Sequence, residues 1–249
     1  MSAAETSRTF REAEHSRAVR EMFGGIASRY DLLNHLLSLN IDKGWRRKVA
    51  GELRAVLDDV DASVLDVACG TGDLSLELAS DAKASITGTD FCRPMLKFAQ
   101  EKVDAAKLSI PLVEADAMEL PFPNDSFSAA TIAFGLRNLP NVENGLAELF
   151  RILKPSAKLV VLEFSQPVIP GIREAFNFYF TRILPRIGGL VSGSRGAYEY
   201  LPDSVRGFPP QKELAALMEI KGFVNVRFRN LTGGIAAIHI GEKPLVALS

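Results

Sequence analysis

Apolar residues along the chain change their spacing near residue 60. Before this point they recur every three to four residues, which predicts helices over Phe10–Phe23, Tyr30–Leu37 and Lys43–Leu57. After it, short apolar runs that are typical of buried strands alternate with helical stretches of about 10 to 15 residues. This alternation indicates βαβ units and therefore a mostly parallel sheet.

Five strands are predicted in the central part of the chain: Ser63–Ala68, Ala84–Thr89, Ile110–Glu114, Phe127–Phe134 and Lys158–Glu163. The stretches between them contain predicted helices that end at Leu78 or cover Pro94–Lys107 and Val142–Leu153. In an open sheet of this kind, ligands bind outside the carboxyl ends of the strands. The residues that follow each strand are therefore the first place to look for a site.

The alternation ends after residue 165. Gly171–Leu190 starts as an aromatic helix that glycine and proline then interrupt, and Gly193–Phe208 is predicted to be a polar loop. A last helix over Gln211–Lys221 precedes two strands, Phe223–Leu231 and Ile235–Ile240, which the glycines between them join as a hairpin. Seven strands in total are expected, five of them parallel and the last two antiparallel.

Composition narrows the class of protein. The 249 residues are 47% apolar and 24% charged, which suits a globular chain with a large core. Because 29 Lys and Arg residues balance 30 Asp and Glu residues, a nucleic-acid partner is not expected. The two cysteines cannot build a metal cage, no apolar run reaches membrane-spanning length and the start does not resemble a signal peptide. We expect a soluble cytoplasmic protein without a metal.

A glycine-rich turn, Gly70-Thr71-Gly72, joins the first strand to the next helix. Such a turn lets the backbone approach a nucleotide closely, but the spacing also fits a dinucleotide-binding turn. Asp66 precedes the turn and Asp73 follows it, where two carboxylates would repel a pyrophosphate at the helix start. They suit a ligand with an amino group and a sulfonium. The residues therefore predict S-adenosyl-L-methionine as the cofactor.

Two further acidic positions follow the second and third strands. Asp90 can accept hydrogen bonds from both ribose hydroxyls, and Asp116 with the Ala117 amide can reach the adenine edge. Each of them alone could equally be a helix cap or a loop residue. Together with the turn, they define the expected cofactor site, whose members are Asp66, Gly70, Thr71, Gly72, Asp90, Asp116 and Ala117.

The run from Asp66 to Asp73, together with Asp90, resembles the cofactor loop of class I S-adenosylmethionine-dependent methyltransferases. Its flanks are similar to those of the ubiquinone/menaquinone biosynthesis C-methyltransferase family, a resemblance that extends from about Phe23 to the C-terminus. The similar segments are Tyr30-Asp31-Leu-Leu-Asn34 with Trp45, Phe134-Gly-Leu-Arg-Asn138, Arg151-Ile-Leu-Lys-Pro155, Leu162-Glu-Phe-Ser165, Tyr198-Glu-Tyr-Leu-Pro202 and Thr232-Gly-Gly-Ile235. One departure is Asp42, which stands where the family usually has histidine.

The resemblance implies a Rossmann-like fold and methylation of a ring carbon in a prenylated hydroquinone: demethylmenaquinol, its counterpart on the way to ubiquinone, or both. Arg137 is expected to stabilise the phenolate or orient a water, and Asn138 to hold a quinol oxygen or that water. For Arg137 the alternative is a surface ion pair with Glu143 or Glu148. Another small-molecule acceptor remains the alternative to the quinol, while a non-catalytic binding module and a dinucleotide-dependent oxidoreductase are more distant readings.

Other side chains carry weaker expectations. Tyr198 and Tyr200 either line the quinol slot or belong to the core, and His239 is expected in the core. Tyr30 and Asp31 either fold over the cofactor or cap a helix. The aromatic and arginine-containing stretch over residues 173–191 suits a tunnel wall, a peripheral contact with the inner face of the membrane or a core helix. A homodimer is left open.

These expectations combine into one α/β methyltransferase domain over residues 1–249. A helical N-terminal lobe covers residues 1–60 and a cofactor-binding core residues 61–165. A helical insertion or lid follows over 166–210, and the C-terminal helix and hairpin occupy 211–249.

Overall fold

The computed structural model describes residues 3–31, 40–179, 182 and 195–245. Its helices are α1 Ala3–Ile26, α2 Ile41–Glu52, α3 Arg54–Leu57, α4 Asp73–Ala79, α5 Arg93–Ala106, α6 Val142–Ile152, α7 Ile172–Phe178, α8 Arg195–Gly207 and α9 Gln211–Ile220. Its strands are β1 Ser63–Val67, β2 Ser85–Asp90, β3 Leu112–Glu114, β4 Phe127–Ala133, β5 Leu153–Phe164, β6 Val224–Leu231 and β7 Ala236–Glu242. Short 3-10 turns cover Ala27–Arg29, Leu136–Asn138 and Thr232–Gly234.

The strands form one seven-stranded sheet in the order β3-β2-β1-β4-β5-β7-β6. Strands β1 to β5 run parallel, whereas β7 pairs antiparallel with both β5 and β6. The predicted fold class, a Rossmann-like sheet with a C-terminal antiparallel hairpin, is confirmed. Successive strands are added to one side of β1 as far as β3, and from β4 onward to its other side. A crevice is therefore expected at the carboxyl ends of β1 and β4.

Both faces of the central strands are buried. In β1, Val64 contributes to the core on one face, with α2 and α4, while Leu65 and Val67 contribute to the core on the other, with α6 and α9. All three are fully buried, which explains why the central strands read as continuous apolar runs. His239 lies in the core as expected, with Nε2 2.9 Å from the carbonyl oxygen of Gln211.

The N-terminal lobe packs against the insertion. Ile26 at the end of α1 contacts Leu201 and Val205 of α8. The prediction of a loop over Gly193–Phe208 is therefore wrong, because α8 covers most of it and contains Pro202. Leu201 and Val205, four positions apart, form the packed apolar stripe of α8. The polar residues around them hid this helical pattern in the sequence.

Some predicted features fall outside the described residues. Most of the predicted helix over 30–37 lies in the undescribed segment 32–39, and most of the aromatic stretch lies between residues 180 and 194. Within the described part of the chain, no helix is long and apolar enough to cross a bilayer.

Candidate active site

A continuous cleft lies at the carboxyl ends of β1 and β4. It consists of a cavity of about 680 Å³ and a second of about 430 Å³. The residues that line both are Tyr30, Ala68, Gly70, Ala133 and Phe134. The cleft therefore occupies the crevice that the strand order predicts.

The backbone at the centre of the cleft is strained. Ala68 follows β1 with a φ of 52°, and Phe134 follows β4 with a φ of 55°. Residues other than glycine rarely adopt this left-handed conformation, which is concentrated at functional sites. Gly135 must be glycine, because a Cβ atom there would lie 2.5 Å from the Cβ of Ala68. The loop after β1 and the loop after β4 therefore approach each other as closely as their backbones allow.

The glycine turn has two distinct roles. Gly70 lines both cavities and has a φ of 57°. Gly72, with a φ of 85°, is not among the lining residues, and a Cβ atom there would lie 3.2 Å from the Cβ of Ala99 in α5. Gly72 therefore allows α4 to start against α5, while Gly70 faces the cleft.

Asp90 at the end of β2 lines the larger cavity and is 6% exposed. One of its carboxylate oxygens accepts from the backbone N–H of Gly70 and the other from that of Cys92, both at 2.8 Å. Burial raises the pKa of Asp90 from 3.8 to about 6, although these hydrogen bonds oppose the rise. The carboxylate holds the glycine turn and keeps lone pairs for a ligand hydroxyl.

Asp66 lines the smaller cavity and is fully buried. It accepts hydrogen bonds from the hydroxyls of Ser75 at 2.6 Å and Thr131 at 2.9 Å. Burial raises its pKa to about 6, against the effect of these two hydrogen bonds. Burial therefore favours the neutral form of this acid more than in an exposed aspartate.

Asp73 does not supply the uncompensated negative charge that we expected at the helix start. It forms ion pairs with Lys102 and, at 3.1 Å, with Arg46. The prediction that Asp73 would repel a pyrophosphate is therefore wrong, because nearby cations offset its charge. The hydroxyl of Thr71 donates to Asp31 and accepts from Lys102, so these ion pairs also link the turn to the N-terminal lobe.

The expected adenine end lies in the larger cavity, which Asp116 and Ala117 line. One carboxylate oxygen of Asp116 accepts from the backbone N–H of Met118 at 2.8 Å, which fixes the turn after β3. The structure thus brings all the predicted cofactor residues to one edge of the sheet, with Asp116 and Asp90 at the larger cavity and Asp66 at the smaller one.

Arg137 lies in a buried ion pair and is not among the residues that line the cleft. Its Nη1 atom donates to Glu163 at 2.7 Å and to the carbonyl oxygen of Phe134 at 2.6 Å. The alternative of a surface ion pair is wrong: Glu143 pairs with Lys221, and Glu148 with Arg151. Burial raises the pKa of Glu163, and the charge of Arg137 opposes that rise.

Asn138 lines the larger cavity, and both ends of its carboxamide are held. Its Nδ2 donates to the carbonyl oxygen of Phe134 at 3.1 Å, and its Oδ1 accepts from the hydroxyl of Tyr200 at 3.2 Å. Burial raises the pKa of that hydroxyl. The ring of His15 contacts the carbonyl oxygen of Asn138 at 3.1 Å. The side chain of Tyr198 lies outside the described part of the structure.

Sequence reasoning did not single out three residues near the cleft. The sequence did contain a signal for Arg46, because Asp42 lies four residues earlier and residues at this spacing share one face of a helix. Glu163 also had one, because a charged residue inside an apolar strand needs a buried partner. His15 had none, because its contact lies 123 residues away along the chain.

The residues of the cleft fit a cationic adenosyl cofactor. Carboxylates line both cavities, and no lysine or arginine lines the larger one among the residues described. This arrangement suits ribose and a sulfonium better than a diphosphate. The fold and the site define a class I S-adenosylmethionine-dependent methyltransferase.

Comparisons with known proteins agree with this class. The model of the ubiE/COQ5 methyltransferase family matches residues 10–243, and the chain belongs to this family. It is 48% identical to a demethylmenaquinone methyltransferase of Deinococcus radiodurans, over 92% of this chain and 94% of that one. It is 46% identical to a ubiquinone/menaquinone biosynthesis C-methyltransferase of Citrifermentans bemidjiense, over 93% and 98%.

A solved SAM-dependent methyltransferase from Aquifex aeolicus has the same fold, with a TM-score of 0.57 and 19% identity over 79% of this chain and 88% of that one. The [4+2]-cyclase SpnF also matches, with a TM-score of 0.61 and 18% identity over 80% and 81%. This fold therefore also occurs in a protein named for a different reaction, so the acceptor has to be argued from the site.

Proposed function

We propose that this enzyme methylates a ring carbon of a prenylated hydroquinone, with demethylmenaquinol as the first candidate. The observation that carries the proposal is the 48% identity, across nine-tenths of the chain, with a protein named demethylmenaquinone methyltransferase. The 46% identity with a protein named for both quinone pathways favours a second candidate, the demethylated benzoquinol of the ubiquinone pathway.

When bound, S-adenosylmethionine supplies a methyl group that a carbon nucleophile can attack. The residues proposed to hold it are those of the cofactor prediction that line the cleft, namely Asp66, Gly70, Thr71, Asp90, Asp116 and Ala117. Asp90 would accept from ribose hydroxyls, since its burial makes each such hydrogen bond strong.

On the acceptor side, Asn138 is proposed to orient a quinol oxygen or the water that receives its proton. A ring carbon becomes a better nucleophile when the neighbouring hydroxyl ionises. The bonds to Phe134 and Tyr200 fix the Asn138 carboxamide in one orientation, so it can present its remaining N–H and lone pair without reorganising. Tyr200 is thus proposed to act through Asn138, and Tyr198 retains its predicted place in the quinol slot.

Arg137 is proposed to serve the acceptor through the loop that it braces. Its guanidinium joins Glu163 on β5 to the carbonyl of Phe134, which also binds Asn138. Because Glu163 offsets the charge of Arg137, the proposed role of this ion pair is to fix the loop that carries Asn138. A direct contact with the phenolate would require the ion pair to open.

The test is a methylation assay with purified enzyme, S-adenosylmethionine, and either demethylmenaquinol or the demethylated benzoquinol precursor. We expect the mass of the quinol product to increase by one methyl group, and Asn138→Ala to lower the rate while the enzyme still binds the cofactor. Methylation of neither quinol, while another small acceptor is methylated, would contradict the proposal. Cofactor binding without methylation of any acceptor would favour a binding module.

A quinol with a long prenyl tail resides in a bilayer, and we also propose that the enzyme touches the membrane surface peripherally. Val168, Ile169 and Phe178, around α7, are exposed large apolar residues, each about half exposed or more. Arg173 on the same short helix is also exposed and can pair with anionic lipid.

Flotation with vesicles containing anionic lipid tests this contact. The double variant Ile169→Ser/Phe178→Ser is expected to bind vesicles several-fold more weakly than the wild type. Val60→Ser/Ile220→Ser removes exposed apolar residues elsewhere and is the matched control. Equal loss in both variants would contradict a contact at α7.

A further inference from the structure

A buried arginine lies at the smaller cavity of the cleft. Arg46 on α2 lines this cavity together with Asp66, Thr71 and Asp73. Its side chain is 11% exposed. An anion that binds Arg46 there would be shielded from water, so the ionic hydrogen bonds would be strong.

The charge of Arg46 is distinctive among the residues of the cleft. Arg46 is the only lysine or arginine among the described residues that line either cavity. S-adenosylmethionine carries one carboxylate, on its methionine portion, and buried carboxylates require a cationic or hydrogen-bonding partner. Within the cleft lining, Arg46 is the side chain whose charge meets this requirement.

Arg46 forms ion pairs with two acidic side chains, and a guanidinium has five N–H donors. Its Nη2 atom lies 2.7 Å from Asp42 and 3.1 Å from Asp73. Asp73 also pairs with Lys102, which lines neither cavity. Because Lys102 keeps Asp73 paired, Arg46 can share its planar fork with a ligand without leaving Asp73 as an isolated charge.

We propose that Arg46 binds the carboxylate of the methionine portion of the cofactor. Asp42, which stands where the family usually has histidine, holds the guanidinium from the opposite side and is a positioning residue. The proposal rests on the cofactor and is independent of which quinol accepts the methyl group.

Calorimetric binding of S-adenosylmethionine and of its decarboxylated analogue tests the proposal without turnover. Wild-type enzyme is expected to bind the decarboxylated analogue about ten-fold more weakly or worse, because an ionic hydrogen bond is lost. In Arg46→Met the two ligands should bind within about two-fold of each other, as a double-mutant cycle requires for a direct contact. Arg54→Met removes an arginine whose ion pair with Asp58 is exposed and which lines neither cavity, so it is the matched control and should retain the wild-type ratio.

Removal of Arg46 alone takes a cationic partner from the buried Asp42, so the double variant Asp42→Asn/Arg46→Met provides a second test in which neither charge remains. It should show the same loss of discrimination with wild-type circular dichroism, and Arg46→Lys should give an intermediate ratio. A wild-type ratio in the folded Arg46 variants would overturn the proposal, as would an equal loss in Arg54→Met. Failure of the wild type to bind S-adenosylmethionine would instead overturn the cofactor assignment.

Discussion

The two sides of the cleft are built in different ways. On the cofactor side, Asp90 is bonded to the backbone of Gly70 and Cys92, 20 and 2 residues away in the sequence. On the acceptor side, Asn138 is bonded to Tyr200 and His15, 62 and 123 residues away. The surroundings of Asp90 thus depend on nearby motifs and backbone groups, whereas those of Asn138 depend on packing between distant helices.

The largest expected effect concerns the buried ion pair on the acceptor side. Arg137→Met leaves Glu163 buried without its partner, so the free energy of unfolding in urea should fall by about 3 kcal/mol or more. Arg137→Met/Glu163→Gln should lose less, because neither charge remains. As a control, Arg54→Met breaks the exposed pair with Asp58 and should cost about 1 kcal/mol or less. A similar cost for the buried and exposed pairs would show that the acceptor side does not depend on this contact.

A second prediction separates the two sides by binding. Asp90→Ala should weaken binding of S-adenosylmethionine by about 100-fold, because it removes a buried acceptor for ribose and a support of the glycine turn. Arg137→Met should change this affinity less than about three-fold and mainly lower kcat. Titration calorimetry and steady-state kinetics measure the two quantities. Equal losses of affinity would mean that the two roles are assigned wrongly.

The pH dependence of binding is specific to the cofactor side. Because the pKa of Asp90 is about 6 in the unliganded protein and ribose hydroxyls favour the carboxylate, affinity should fall toward ten-fold per pH unit below about pH 6. Asp90→Asn should reduce this dependence and leave the part that comes from Asp66, whose pKa is also about 6. The stability of the protein without ligand depends on pH in the opposite direction. The carboxyl of Asp90 binds its proton more tightly in the folded state than in the unfolded one, so the free energy of unfolding should decrease as pH rises from about 4 to 6. An affinity independent of pH between 5 and 7 would contradict this role of Asp90.

The smallest effect concerns the hydroxyl of Tyr200. Tyr200→Phe removes the hydrogen bond to Asn138, so kcat should fall about two- to ten-fold while the Kd for S-adenosylmethionine stays unchanged. The kinetics should be measured with saturating cofactor. A loss of cofactor affinity equal to the loss in kcat would show that Tyr200 supports the whole cleft and not the acceptor side.

The sequence alone determined the order of the seven strands along the chain, most of the helices, the glycine turn and the acidic residues near the carboxyl ends of β1 to β3. These features are local: apolar periodicity defines each element, and parallel strands bring their carboxyl ends to one edge. It also pointed to Asn138 next to β4. Each of these predictions depends on residues close together in the chain.

Tertiary structure decided which charges remain available to a ligand. Asp73 and Arg137 are paired inside the fold, while Arg46 reaches the cleft from the N-terminal lobe. It also made a helix of the segment predicted as a loop around Tyr200. These outcomes depend on contacts between elements far apart in the chain, and the free energy of burying a charge is set by the partners that packing supplies.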